Sequence, residues 1–196
     1  MRTLLRLSCF VAAVTIAGCG GSSAPEPAAS GSAPGTTAAT TAADSSGALM
    51  PINASAILAH VADGRAKVTI VNVWATWCLP CREEFPELLE AARSHEADGV
   101  RLMLVSTDFD EQLPQVHSFL GSHGVRDTTY IKRDGDQAFI DTLNPKWTGT
   151  IPVTLVYDAT GKRVAFWEGR ADRARFEAAI QQALGAPPAA TKETHS

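Results

Sequence analysis

Val68 to Val73 is an apolar, β-branched run, and shortly beyond its end two cysteines stand three positions apart in Cys78-Leu79-Pro80-Cys81. The run reads as a buried strand. Arg82-Glu83-Glu84-Phe85, which follows, reads as the first turn of a helix. A Cys-x-x-Cys pair at a strand-to-helix junction is the sequence form of a dithiol redox site. Cys78 at the helix start faces unpaired backbone N–H groups and the positive end of the helix dipole. Both favour the thiolate, which is the attacking species in disulfide exchange. Cys81 lies one turn further in, close enough to close a disulfide. Pro80 suits the first turn, where a missing N–H costs little.

The N-terminal end reads as a targeting segment. Arg2 and Arg6 supply a positive start, and Leu7 to Ala17 is an apolar core too short to span a bilayer comfortably. Residues 1–18 are therefore expected to be a signal peptide. Ile16-Ala17-Gly18-Cys19 resembles a bacterial lipobox, in which cleavage precedes the cysteine and Cys19 carries lipid. Gly20 to Ala48 is low-complexity Ala, Ser, Thr, Gly and Pro, with Glu26 and Asp44 as its charges. Such a segment cannot bury enough apolar surface to offset its ordering entropy. Residues 19–48 are expected to form a lipidated tether, with an r.m.s. reach of roughly 30 Å. Residues 49–185 are expected to be the folded domain, and 186–196 a short disordered tail.

The cysteine count narrows the chemistry. Of four cysteines, Cys9 leaves with the signal peptide and Cys19 is acylated, so Cys78 and Cys81 remain as thiols. A loop this short gives little chain-entropy stabilisation, so the value of the pair must be chemical. The net charge of −4, with no basic stripe, argues against nucleic acid as a partner.

Periodicity places the elements. Asn53 or Ser55 caps a short helix over Ala54 to Ala62, and Lys67 to Val73 is the first strand. A helix runs from about Pro80 to Glu96, with Pro86 expected to kink it. Arg101 to Ser106 is a strand, and Glu111 to His123 has helical spacing. Thr128 to Lys132 and Gln137 to Leu143 read as a strand and a short helix. Val153 to Tyr157 and Arg163 to Trp167 are strands joined by the turn signal Asp158-Ala159-Thr160-Gly161. Ala171 to Leu184 is a terminal amphipathic helix stopped by Gly185. Alternating strands and helices require parallel pairing, and the closing hairpin adds antiparallel strands. The class is α/β, a mixed central sheet with helices on both faces.

This order of elements, together with Trp77-Cys78-Leu79-Pro80-Cys81, Pro86 and Thr150-Ile151-Pro152 before a strand, resembles the thioredoxin fold. More narrowly, the runs Val71 to Cys78 and Arg82 to Pro86 resemble the TlpA/ResA-type membrane-anchored thiol-disulfide reductases. The resemblance covers Val68 through Leu184. It implies that Cys78 attacks substrate disulfides and Cys81 resolves the mixed disulfide. It implies a cis Ile151-Pro152 bond facing the cysteines, with the Ile151 backbone free to pair with a substrate chain. Cytoplasmic-type thioredoxins carry a buried aspartate where this chain has Asn72. Glu84 instead sits three residues after Cys81 on the same helix face. By resemblance Glu84 is the acid-base group beside the pair; the alternative is a solvated first-turn carboxylate like Glu83. Trp77 either shields the disulfide at a substrate-binding surface or simply packs. Glu168-Gly169 either marks the functional edge of the fold or is a plain turn.

The expected activity is an extracytoplasmic thiol-disulfide oxidoreductase that reduces protein disulfides with no bound cofactor beyond its own redox-active disulfide. The resemblance implies substrates among disulfide-containing envelope proteins, apocytochrome c in cytochrome c maturation being one. It implies a membrane thiol electron donor and a monomer held at a membrane by lipid, facing the periplasm or the cell exterior. A Cu(I)-binding thioredoxin-fold chaperone is the alternative binding module, but it typically spaces its cysteines by three residues and adds a late histidine. No histidine lies between Val125 and Thr194. His60, His95, His117, His123 and His195 share no metal-ligand spacing, and no metal site is expected. A peroxidase of the peroxiredoxin type would need a lone cysteine in a Pro/Thr-rich loop. A dithiol oxidase remains as the reverse direction of the same chemistry; Leu79-Pro80 lacks the histidine of strongly oxidising sites.

Overall fold

The central strand is buried along its whole length, which explains its near-continuous apolar sequence. It is β2 (Val68–Trp74), and every residue of it is excluded from solvent. Both faces are covered, as parallel sheets require. The computed structural model describes residues 47–185. Around β2 stand β1 (Leu49–Ile52), β3 (Val100–Ser106), β4 (Thr129–Lys132), β5 (Val153–Asp158) and β6 (Arg163–Glu168). The helices are α1 (Ala54–Ala62), α2 (Leu79–Ser94), α3 (Leu113–Ser122), α4 (Asp136–Leu143) and α5 (Arg173–Ala183). Six strands form one sheet in the order β1-β4-β3-β2-β5-β6. β1, β4, β3 and β2 run parallel, and β5 and β6 join antiparallel. This is the mixed sheet expected from the sequence.

Alternation along β2 divides the interior into two cores. Val68, Ile70 and Trp74 point to one face, where they join Phe85 and Leu88 of α2, Val116 and Leu120 of α3, and Phe176 and Ile180 of α5. Val71 and Val73 point to the other, with Ile57 of α1 and Phe139 and Leu143 of α4. Burial of a large apolar side chain contributes about 1.5–3 kcal/mol, so these two layers hold the sheet between its helices.

Several boundaries differ from the sequence expectation. β1 is an added edge strand, parallel to β4. Its Pro51 and its two exposed central residues hide the strand pattern. The helix expected over Glu111 to His123 begins with a separate 3-10 turn, Asp110–Gln112, before α3. Pro114 at the start of α3 favours that break. α2 continues through Pro86 to Ser94. α5 starts later than expected, at Arg173, because the Asp172 side chain accepts the Arg175 N–H and caps it there. Asn53 caps α1 as expected, accepting from the Ala56 N–H at 2.7 Å. The signal peptide, Cys19, nearly all of the tether and the tail at 186–196 lie outside the described residues. Among the described residues no helix is long and apolar enough to cross a membrane.

Candidate active site

β2 delivers the chain to the cysteines. Beyond Trp74 a tight turn closes when the Cys78 N–H donates to the Ala75 carbonyl at 3.2 Å. Cys78 is the N-cap of α2, in extended conformation. Its sulfur accepts the Cys81 N–H at 3.2 Å. One of the orphan donors of the helix terminus therefore points at this sulfur. Pro80 occupies the first turn, where no partner is lost. The two cysteines are joined, with S–S 2.01 Å and Cα–Cα 5.3 Å.

In the disulfide both cysteines are buried, Cys78 at 5% and Cys81 at 1% exposure. The Ile151 carbonyl oxygen stands 3.7 Å from the Cys78 sulfur and shades it. The Ile151–Pro152 peptide is cis, and Pro152 is buried. This loop is held from two sides. The Trp147 indole N–H donates to the Thr150 carbonyl at 2.8 Å. The Gly169 N–H donates to the Pro152 carbonyl at 2.8 Å. Gly169 has φ +81°, a left-handed conformation suited to glycine. Glu168 accepts from the Thr148 N–H at 3.1 Å. The Glu168-Gly169 pair is thus a clasp on the Pro152 loop as well as a turn.

Glu84 and Glu83 part company in the fold. The Glu83 side chain is about half exposed and faces Arg170 at 3.7 Å. Glu84 is 1% exposed, on the same buried face of α2 as Cys81. One carboxylate oxygen accepts from the Asn72 amide at 2.9 Å, and the other from the Ala171 N–H at 2.9 Å. Burial pushes the Glu84 pKa up to about 7 against the opposing effect of these two donors and of Arg170 and Arg175. Desolvation wins because the charged form has lost its water. The solvated reading of Glu84 therefore fails on geometry. Asn72 also donates to Thr154 Oγ1 at 3.0 Å, while its own Oδ1 is buried without a partner. Sequence reasoning noted Asn72 in place of an aspartate but missed Thr154 and Ala171, which come from segments distant in sequence.

Trp74 is buried, and Trp77 is 57% exposed, so the two tryptophans separate into a packing residue and a surface residue. Leu79 at 63% and Phe109 at 70% are also exposed. Trp77, Phe109 and Ile151 border a groove of about 650 Å³ that continues over Ile140 and Trp147. Two large exposed apolar side chains, Trp77 and Phe109, thus stand at one groove. Among the described residues no group of three or more His, Cys, Asp or Glu side chains is placed to hold a metal ion.

Comparison with known proteins agrees with this geometry. The chain is 29% identical over 105 residues to the thiol-disulfide oxidoreductase ResA of Bacillus subtilis (strain 168), covering 54% of this chain and 55% of that protein. It is 45% identical over 60 residues to the thiol:disulfide interchange protein CycY of Rhizobium leguminosarum bv. viciae, covering 31% of this chain and 30% of that one. The chain thus spans about half the length, or less, of these two curated relatives. Among solved structures it is similar to a thiol:disulfide interchange protein of the thioredoxin family from Chlorobium tepidum TLS. The TM-score is 0.53 at 26% identity, over 71% of this chain and 97% of that one. The mixed sheet with its flanking helices is a thioredoxin fold. The AhpC/TSA family model matches residues 49–165, from β1 into β6 and more than half of the chain, and the chain belongs to that family.

Proposed function

We propose that this protein is an extracytoplasmic thiol-disulfide oxidoreductase that reduces protein disulfides through Cys78 and Cys81. The observation that carries the reading is the bonded pair at the start of α2, with the Ile151 carbonyl against the outer sulfur. Relatives named as thiol-disulfide oxidoreductases and interchange proteins support it.

In the reduced protein the Cys78 thiolate attacks one sulfur of the substrate disulfide. A Cys78–substrate bond forms, the substrate S–S bond breaks, and the other substrate sulfur leaves as a thiolate that takes a proton from solvent. Cys81 then gives its thiol proton to the Glu84 carboxylate. The Cys81 thiolate attacks the Cys78 sulfur, the intramolecular disulfide closes, and the second substrate sulfur leaves and is protonated. Two electrons pass from the dithiol to the substrate. No cofactor is required beyond the cysteine pair itself.

Trp77, Ile151 and Pro152 form the surface on which the substrate chain docks, with Phe109 extending it. The substrates are disulfide-containing envelope proteins, apocytochrome c in cytochrome c maturation among them. A thiol donor in the membrane returns the pair to the dithiol. The protein works as a monomer, anchored through lipid on Cys19 and facing the periplasm or the cell exterior.

Trapping tests the division of labour. A Cys81→Ala variant, unable to resolve, should accumulate mixed disulfides through Cys78, and a Cys78→Ala variant should accumulate few. Equal accumulation in both variants rejects the assignment.

A further inference from the structure

Asp108 follows β3 and is 4% exposed, yet the sequence gives it no role. A buried carboxylate is costly unless donors surround it. Here the donors come from two directions. The Thr76 N–H donates to Asp108 Oδ2 at 3.0 Å and to Oδ1 at 3.2 Å. The Thr76 hydroxyl donates to Oδ1 at 2.5 Å. The Ser106 hydroxyl donates to Oδ2 at 2.6 Å and accepts the Asp108 N–H at 3.0 Å. Thr107 lies between them, and its N–H donates to the Trp74 carbonyl at 2.9 Å. The end of β3 therefore grips the turn between β2 and α2 at Trp74 and at Thr76.

That turn ends at Cys78, two residues beyond Thr76. Trp77, between them, is mostly exposed and is no anchor. Cys78 keeps its place at the helix terminus only if the turn holds its shape. The stabilisation of a thiolate there depends on geometry, since the dipole effect falls off within one turn and the Cys81 N–H must meet the sulfur.

We propose that Asp108 is a positioning residue for Cys78, fixing through Thr76 and Ser106 the turn that sets the attacking sulfur against the N-terminus of α2. This rests on the reading of Cys78 as the attacking thiol. The test measures the thiol directly, so it does not depend on any substrate being turned over.

The sign of the effect separates positioning from charge. A carboxylate near a thiol disfavours the thiolate, so if Asp108 acted by charge, removing it would lower the Cys78 pKa. If it acts by position, Asp108→Ala loosens the turn and raises that pKa. Asp108→Asn keeps an acceptor for Thr76 and can donate to Ser106, so it should restore the position. The experiment is the pH dependence of iodoacetamide alkylation of the reduced, full-length protein, with the Cys78 peptide followed by mass spectrometry. Asp108→Ala should move the midpoint up by about one unit, slowing alkylation at neutral pH about tenfold. Asp108→Asn should show no upward shift. Thr76→Val loses only the hydroxyl bond and should move the midpoint upward by less; it decides the matter if Asp108→Ala does not fold. An unchanged or lowered midpoint in Asp108→Ala, or in Thr76→Val where the former fails to fold, overturns the proposal.

Discussion

Replacing Glu84 with glutamine should change how the stability of the domain depends on pH. Glu84 has a pKa of about 7 in the folded protein, against an ordinary value of 4.5. The folded state therefore holds this proton more tightly than the unfolded chain does. A raised folded pKa means that the stabilising contribution is fully present below about 4.5 and is lost as pH rises through about 7. At about 1.4 kcal/mol per pKa unit, the loss is about 3 kcal/mol across that window. Glutamine is neutral throughout and removes this slope. Its carbonyl can accept the Ala171 N–H as Glu84 does. Its amino group can donate to Asn72 Oδ1, a buried atom without a partner, once the Asn72 amide turns over. The assay is urea unfolding of the oxidised protein from pH 4.5 to 8, comparing wild type with Glu84→Gln. The difference in unfolding free energy should move by about 3 kcal/mol in favour of the variant as pH rises. Glu83→Gln is the control, because its side chain is about half exposed, and it should follow wild type. Parallel stability curves for wild type and Glu84→Gln would refute the reasoning, and with it the view that Glu84 exchanges a proton near neutrality.

Cys19→Ser should release the protein from membranes and leave the far-UV circular dichroism of the domain unchanged; a variant that still sediments with membranes after a salt wash removes the lipid anchor from the account. Phe109→Ser removes an exposed ring from the docking surface, worth about 1 kcal/mol if substrate covers it, so kcat/KM for a protein disulfide should fall roughly fivefold. An unchanged value would exclude Phe109 from that surface.

The cysteine site was legible because it is local. The strand Val68–Trp74, the pair Cys78 and Cys81 and the helix behind them are contiguous, so β-branching, N-terminal helix chemistry and spacing all bear on one short stretch. The same holds for the hairpin at Asp158, whose side chain accepts from the Thr160 and Lys162 N–H groups. The rest of the site is assembled from distant segments. The partners of Glu84 come from β2 and from the loop after β6, and nothing in the local pattern ties Ala171 to residue 84. Asp108 reads as an ordinary loop aspartate until the fold sets it beside Thr76. The His95 side chain is 13% exposed and bridges Asp98 and Glu177 between α2 and α5. Both carboxylates raise its pKa, a consequence of helix packing that spacing cannot reveal. The edge strand β1 was missed because pairing with β4, not β propensity, makes it a strand.

The reduction potential of the Cys78–Cys81 pair, measured by equilibration of the full-length protein against a glutathione redox series, bears most directly on the claim that this pair works as a reductant. The account predicts a potential below about −200 mV, towards the thioredoxin value of about −270 mV. A potential near about −120 mV, in the range of strong dithiol oxidants, would contradict it and reverse the direction of electron flow.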